Sequence, residues 1–208
     1  MEGLHVVDHP LLSHHVAELR AAGTSREAFR RALGEASAVL AYEAMRDLAT
    51  VPVTIATPLE ETEVRRPALP VAVVAILRAG LGMVDGFLRQ VPEADIGHLG
   101  MYRDEESLQP VPYYESLPAS LPDAVVFVVD PMLATGGSAT AAIGRLRQAG
   151  ARRLHLVGLV AAPEGVRAIH DAHPDVPITV AALDRELDAR GYIRPGLGDA
   201  GDRLFGTE

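Results

Sequence analysis

The 208-residue chain contains no cysteine and no lysine. Without cysteine there is no disulfide framework, no thiolate metal site and no thiol nucleophile. Without lysine every fixed side-chain cation is an arginine. A nucleoside-triphosphate P-loop, which needs a lysine after its last glycine, is thereby excluded. No apolar run approaches the roughly 18 residues of a membrane-spanning helix, and no basic stretch followed by an apolar core opens the chain. The expected location is therefore the cytoplasm, with no membrane partner. A formal net charge of −9 lacks the broad basic face that nucleic acid requires, so nucleic acid is not an expected partner. A local arginine-lined pocket for an anionic small molecule stays open. There is no internal repeat or low-complexity tract. The length implies a single domain over 1–208, able to bury roughly 70% of its unfolded surface.

What is present is organised around Val125–Gly150, VVFVVDPMLATGGSATAAIGRLRQAG. The apolar run Val125–Val129 predicts a strand that ends at Asp130. The turn Pro131, Met132, Leu133, Ala134, Thr135, Gly136, Gly137, Ser138 follows. Ala142, Ile143, Leu146 and Ala149 then recur at helical spacing, and Gly150 stands at the helix C-terminus. A helix start carries N–H groups without intrahelical partners and a dipole that favours an anion. Gly136 and Gly137 allow a phosphate close to the backbone, and Thr135 and Ser138 add hydroxyl donors. Asp130 sits at the carboxyl end of the strand, where ligands bind in open α/β sheets. A carboxylate there repels phosphate but accepts from sugar hydroxyls. The stretch reads as a holder for a sugar phosphate, or else as a plain loop capped by Ser138. It does not spell the G-x-G-x-x-G dinucleotide fingerprint.

The same arrangement occurs earlier. Val71–Leu77 is a continuous apolar run, as in a parallel strand buried on both faces. It leads into Arg78, Ala79, Gly80, Leu81, Gly82 and a helix to about Arg89. An arginine at a strand end either pairs with an acid or binds an anion, and the adjacent glycine turn favours the anion. Ser25 is placed to cap a helix reaching Asp47. Val51–Val64, with Pro52 and Pro58, predicts short extended pieces on an edge. Ile96–Met101 predicts a strand, and the polar segment 102–114 with two prolines predicts a loop or mobile arm. Leu154–Leu159, Glu164–Ala172 and Ile178–Leu183 predict strand, helix and strand, with a polar loop from Asp184. Such alternation implies a mostly parallel sheet. Residues 1–24 are mixed. The adjacent His14 and His15 suggest a metal, but no acid or third histidine completes a recognised spacing, so they are read as surface or packing residues. His170 and His173 are read the same way. The tail from Gly191 is dense in glycine, which argues against a regular helix or strand, while Ile193, Leu197, Leu204 and Phe205 argue against disorder. It reads as a packed coil or as backbone wrapped around a flat ligand.

VVDPMLATGGSA resembles the phosphoribosyl pyrophosphate (PRPP) motif of uracil phosphoribosyltransferases, including Pro131 where most of the wider type I group carries a second acid. YI-x-PGLGDAGDR-x-FGT resembles the same family's uracil-recognition hood. Together with the motif at Arg78 and the loop at Arg103, these stand in the family's order. The resemblance implies an α/β fold of the type I phosphoribosyltransferase kind: a mostly parallel central sheet flanked by helices, a small C-terminal hood (about 184–208) and a mobile loop. It implies conversion of uracil and PRPP to UMP and diphosphate in pyrimidine salvage. On this resemblance Arg78 and Arg103 hold the diphosphate, Asp130 the ribose hydroxyls, and Ala134–Ser138 the 5′-phosphate, with Pro131, Met132 and Leu133 also placed against PRPP. Asp199 lies beside the reacting sugar, and Ile193, Gly198 and Ala200 contact uracil. Mg2+ is expected through PRPP, with no metal ligands of the protein's own, and a homo-oligomer and GTP activation are implied. Arg194 stands where the family more often has a small or apolar residue and is given no role. The alternatives are transfer to another nucleobase, a non-catalytic PRPP-binding regulator and an unrelated sugar-phosphate binder.

Overall fold

The computed structural model describes residues 3–103 and 110–207. In chain order its elements are β1 (Leu4–Val6), α1 (Pro10–Arg20), α2 (Arg26–Ala44), β2 (Thr50–Ala56), β3 (Glu61–Pro67), β4 (Val71–Leu77), α3 (Leu81–Gln90), β5 (Asp95–Arg103), β6 (Pro110–Ser116), β7 (Val125–Val129), β8 (Met132–Leu133), α4 (Gly137–Gln148), β9 (Arg153–Ala161), α5 (Pro163–Ala172), β10 (Ile178–Leu183), β11 (Glu186–Leu187), β12 (Ile193–Arg194) and α6 (Ala200–Phe205). The main sheet runs β1-β10-β9-β7-β4-β5-β6, with β8 laid against β9. All its pairings are parallel except β5–β6.

The unbroken apolar runs follow from burial on both faces. Successive side chains of a strand point to opposite sides. In β4, Val71, Val73 and Ala75 join a core that includes Phe29, Leu33 and Leu40 of α2 and Met83 and Phe87 of α3. Ala72, Val74 and Ile76 join a second core with Ile143 and Leu146 of α4 and Val166 and Ile169 of α5. β7 divides in the same way, Phe127 and Val129 against Val126 and Val128. Helices therefore cover both faces. Among the described residues no helix is long and apolar enough to cross a membrane.

The order of strands positions the site. β4 leads through α3 to β5 on one side, and its neighbour β7 leads through α4 to β9 on the other. The two crossovers diverge and leave a crevice beyond the carboxyl ends of β4 and β7, the switch point at which open α/β sheets bind ligands. Arg78 and Asp130 are the residues that follow those two strand ends.

Residues 1–24, for which the sequence predicts no element, hold strand β1 and helix α1. α1 begins on Pro10 and buries Leu12, Val16 and Leu19, a stripe whose gaps are filled by histidines. Three expectations need correction. Segment 110–116 is a strand antiparallel to β5, not a loop. It lies at the sheet edge, where Pro110 and Pro112 break no ladder on the outer side. β2 and β3 form a separate two-stranded hairpin, not an edge of the main sheet. The tail contains regular structure after all: β11 and β12 pair antiparallel, and α6 turns from Ala200 to Phe205. Glycine there marks the ends of short elements. Residues 104–109 of the expected mobile loop lie outside the described part.

Candidate active site

The first wall is the turn after β4. A Cβ on Gly80 would lie 2.5 Å from the Val129 carbonyl oxygen and 2.6 Å from that of Ile76. Glycine thus lets this turn fold directly onto the end of β7. Arg78 extends from it, half exposed, with Nη1 donating to Thr207 Oγ1 at 3.2 Å and Nη2 to Asp202 Oδ1 at 3.4 Å. The arginine does pair with an acid, through a long and exposed contact of the kind worth no more than about 1 kcal/mol.

The second wall is the turn Pro131–Ser138. It is pinned as a strand, Met132 and Leu133 in register with Val160 and Ala161. Leu159 and Val160 N–H both donate to the Pro131 carbonyl, at 3.2 and 3.0 Å. Proline serves here as an acceptor only, so its missing N–H costs nothing. Gly136 caps α4 with φ +82°, and a Cβ there would meet the Gly165 carbonyl at 2.7 Å. Helix α4 starts at Gly137, not under a Ser138 cap, and has no acidic residue in its first turn. A small concavity of about 100 Å³ is lined by Asp130, Met132–Gly137, Ser138 and Ala139. The first turn of α4 borders this concavity, and the free N–H groups and dipole of a helix start suit an anion.

Asp130 Oδ1 accepts from the Met132 N–H at 3.1 Å, so the turn role also holds. Burial nevertheless dominates its proton affinity and pushes the carboxyl up to about 7, against the opposing pull of that N–H. Hydroxyl donors from a sugar would favour the charged form.

The hood is the third wall. Asp184, buried, accepts a bidentate pair from Arg20 at 2.5 and 2.8 Å, and also the Gly196 N–H at 2.8 Å. Arg20 donates onward to the Gly196 carbonyl at 2.9 Å. Arg203 donates to carbonyls of Leu197 (2.7 Å), Ala21 (2.8 Å) and Leu19, and its guanidinium stands 4.5 Å from the Phe29 ring centroid. Two arginines thus fasten the hood to α1 and the segment after it. Asp199 caps α6, its Oδ1 accepting from Asp202 N–H at 2.9 Å. Arg194 is paired with Asp188 at 2.5 and 3.0 Å.

A cleft of about 300 Å³ lies between these walls, lined by Arg78, Ala79, Met132, Ala134, Gly191, Tyr192, Ile193 and the run Gly198–Gly201. Met132 and Ala134 line both this cleft and the anion concavity. The fold therefore brings Arg78, Asp130, Met132–Ser138, Ile193, Gly198, Asp199 and Ala200 to two hollows that share Met132 and Ala134, whereas Pro131 is buried and lines neither. The side chain of Arg103, at the end of β5, lies outside the described part. The sequence reading missed Tyr192, which lines the cleft while half exposed, and the Arg20–Asp184 clamp. Tyr192 stands inside the hood motif and could have been found there. The clamp joins residues 164 positions apart, with no local signal.

A family model described as "Uracil phosphoribosyltransferase" matches residues 6–207. The chain is 56% identical over 207 residues to a protein named uracil phosphoribosyltransferase from Salinibacter ruber, covering 100% of this chain and 99% of the relative. A solved structure of the AQ2163 protein from Aquifex aeolicus superposes with a TM-score of 0.94 at 37% identity, covering 99% of each chain. An adenine phosphoribosyl transferase from Trypanosoma brucei shares the fold at 11% identity, with a TM-score of 0.61 over 96% of this chain and 89% of that one.

Proposed function

The chain belongs to the uracil phosphoribosyltransferase family, and we propose that it performs that family's reaction in the two hollows just described. As a glycosyltransferase of this kind it joins uracil to the phosphoribosyl group of PRPP, giving UMP and diphosphate. The observation that carries the assignment of roles is the shared wall: Met132 and Ala134 border both the anion concavity and the hood cleft. One ligand can rest its phosphate in the first and its base in the second.

In this reading the backbone of Ala134–Ser138 holds the 5′-phosphate at the start of α4, and Asp130 accepts from the ribose hydroxyls. Uracil lies in the cleft against Ile193, Gly198 and Ala200, its edge met by backbone groups. The two hood cations near the base cleft that could recognise an added carboxylate, as on orotate, are already engaged, Arg194 by Asp188 and Arg203 by main-chain carbonyls. That supports an uncharged pyrimidine. Diphosphate leaves the anomeric carbon as bond breaking builds negative charge on oxygen and positive charge on the sugar ring. Arg78 needs to give up only its long, exposed contacts with Asp202 and Thr207 to meet the diphosphate, and Arg103 is proposed to approach from its loop. Preorganised cations where charge develops and two oriented substrates supply the acceleration. The uracil ring proton leaves through water, since no strong base is required. The diphosphate oxygens of PRPP would carry Mg2+ in, and the carboxylate of Asp199, which lines the cleft, would face it directly or through water. When bound, Mg2+ neutralises diphosphate charge.

We carry pyrimidine salvage in the cytoplasm, GTP activation and a homo-oligomer as further parts of the proposal. The β2–β3 hairpin supports an assembly arm, because it stands off the main sheet with Leu59 95% exposed at its tip. A diphosphate-release assay across nucleobases tests the main reading. Turnover is expected with uracil, and equal rates with cytosine and hypoxanthine would overturn the hood as base reader.

A further inference from the structure

The middle and C-terminal part of α1 carry a feature that neither the cleft nor the hood uses. An α-helix advances about 100° per residue. Glu18 therefore falls about 40° from His14 on one side and about 60° from His15 on the other, one turn further along. The two histidines and the acid converge: one ligand atom from each lies within 4.8 Å of the others. Glu18 is the acid that the sequence reading did not connect with the histidine pair.

The surroundings favour a bound ion. The His14 and His15 ring centroids are 5.5 Å apart with planes inclined at 63°, so the rings meet edge to face. His15 is half-buried and its Nδ1 has no hydrogen-bond partner, so no protein group competes for that nitrogen. Glu18 is held by Arg31 at 2.6 Å, a contact with the arginine 61% exposed. Releasing such an exposed pair costs about 1 kcal/mol or less. The platform itself is firm. Leu12, Val16 and Leu19 anchor α1 in the core, and Thr24 Oγ1 donates to the Glu18 carbonyl at 2.5 Å.

We propose that His14, His15 and Glu18 form a binding site for one divalent transition-metal ion of the zinc, cobalt or nickel class. Two imidazoles and one carboxylate are a mixed nitrogen and oxygen set, which suits these metals, whereas magnesium and calcium call for oxygen alone. Three protein ligands leave a further position for water. Tetrahedral bonds of about 2.1 Å place ligand atoms about 3.4 Å apart, which rotation of the Glu18 side chain away from Arg31 can reach. None of these residues lines the cleft or the anion concavity, so the site is separate from any Mg2+ carried by PRPP. Arg20, which fastens the hood, lies two residues beyond Glu18 on the same helix. Occupancy would stiffen the segment from which the hood is held.

The test uses the untagged full chain titrated with Co2+, read by its visible absorption, and with Zn2+, read by calorimetry. One ion per chain is expected, with a rise in Tm on binding. Losing even an outer partner of a metal ligand typically weakens binding about tenfold or more. His14→Ala and Glu18→Gln should therefore each cost at least that. Arg31→Ala should tighten binding by freeing Glu18, which a merely adventitious surface histidine would not reproduce. His170→Ala, on α5 and outside the three-ligand cluster, should leave affinity unchanged. Should His15→Ala fold poorly, His15→Gln serves in its place, with folding checked by circular dichroism. Binding no tighter than millimolar, or binding that survives the His14→Ala/His15→Gln double variant, overturns the proposal.

Discussion

Asp130 meets opposing demands. Its proposed task needs a charged acceptor for ribose hydroxyls, while its burial at the end of β7 favours the neutral acid and lifts its pKa to about 7. The position and chemical type of this residue were readable, because a lone acid after a buried strand is a local pattern. Its proton affinity was not, since that depends on what packs around it. The conflict predicts a pH limb. In the free enzyme, kcat/KM for PRPP should fall as pH drops below about 7, because kcat/KM reports the ionisations of the unliganded site. Asp130→Asn should lower kcat/KM for PRPP about 100-fold, given about 1.5–3 kcal/mol for each hydrogen bond to a charged group, and should abolish that limb. Steady-state rates measured from pH 5 to 9 for both proteins check this. A limb of the same shape in the variant would remove Asp130 from the sugar site.

At the scale of elements, sequence patterns succeeded where a period runs for several turns or a whole strand. β4, β7, α2 and α4 follow their apolar periodicity closely. They failed where an element is too short for a period. α6 has six residues and β12 two, and glycines and Pro195 dominate the composition around them. What orders the hood is instead its fastening to α1 through Arg20, Asp184 and Gly196, a contact invisible to any local window. That fastening should act on base recognition. Asp184→Asn keeps the shape but removes the charge that accepts from both the guanidinium and the Gly196 N–H. It should raise KM for uracil about tenfold, as expected for about 1.4 kcal/mol of lost hood alignment, with a smaller change in KM for PRPP. Equal losses for both substrates would make the pair a general stability element and nothing more.

For the molecule as a whole, alternation of strands and helices foretold a parallel sheet but not the side on which each crossover runs, and the crevice depends on that. The same three-dimensional packing sets the response of stability to pH. Two partly buried groups act in opposite directions. His155 of β9, half-buried beside Phe127 and bonded to Thr179 Oγ1 at 2.8 Å, has its pKa lowered from 6.5 to about 4, by burial first and by His5 next. Between about pH 4 and 6.5 the unfolded chain holds a proton there that the native state does not, so this group adds stability as pH rises. Asp130 does the reverse. From 3.8 to about 7 the native state holds the extra proton, so stability falls as pH rises. Each effect is at most about 1.4 kcal/mol per pH unit, and across the shared window they offset one another. Denaturant unfolding followed from pH 4 to 6.5 should therefore vary little in the parent protein on account of these two groups. Asp130→Asn should expose a slope that rises with pH, and His155→Gln a slope that falls. Matching slopes in the two variants would show that at least one of these groups does not titrate as its burial dictates.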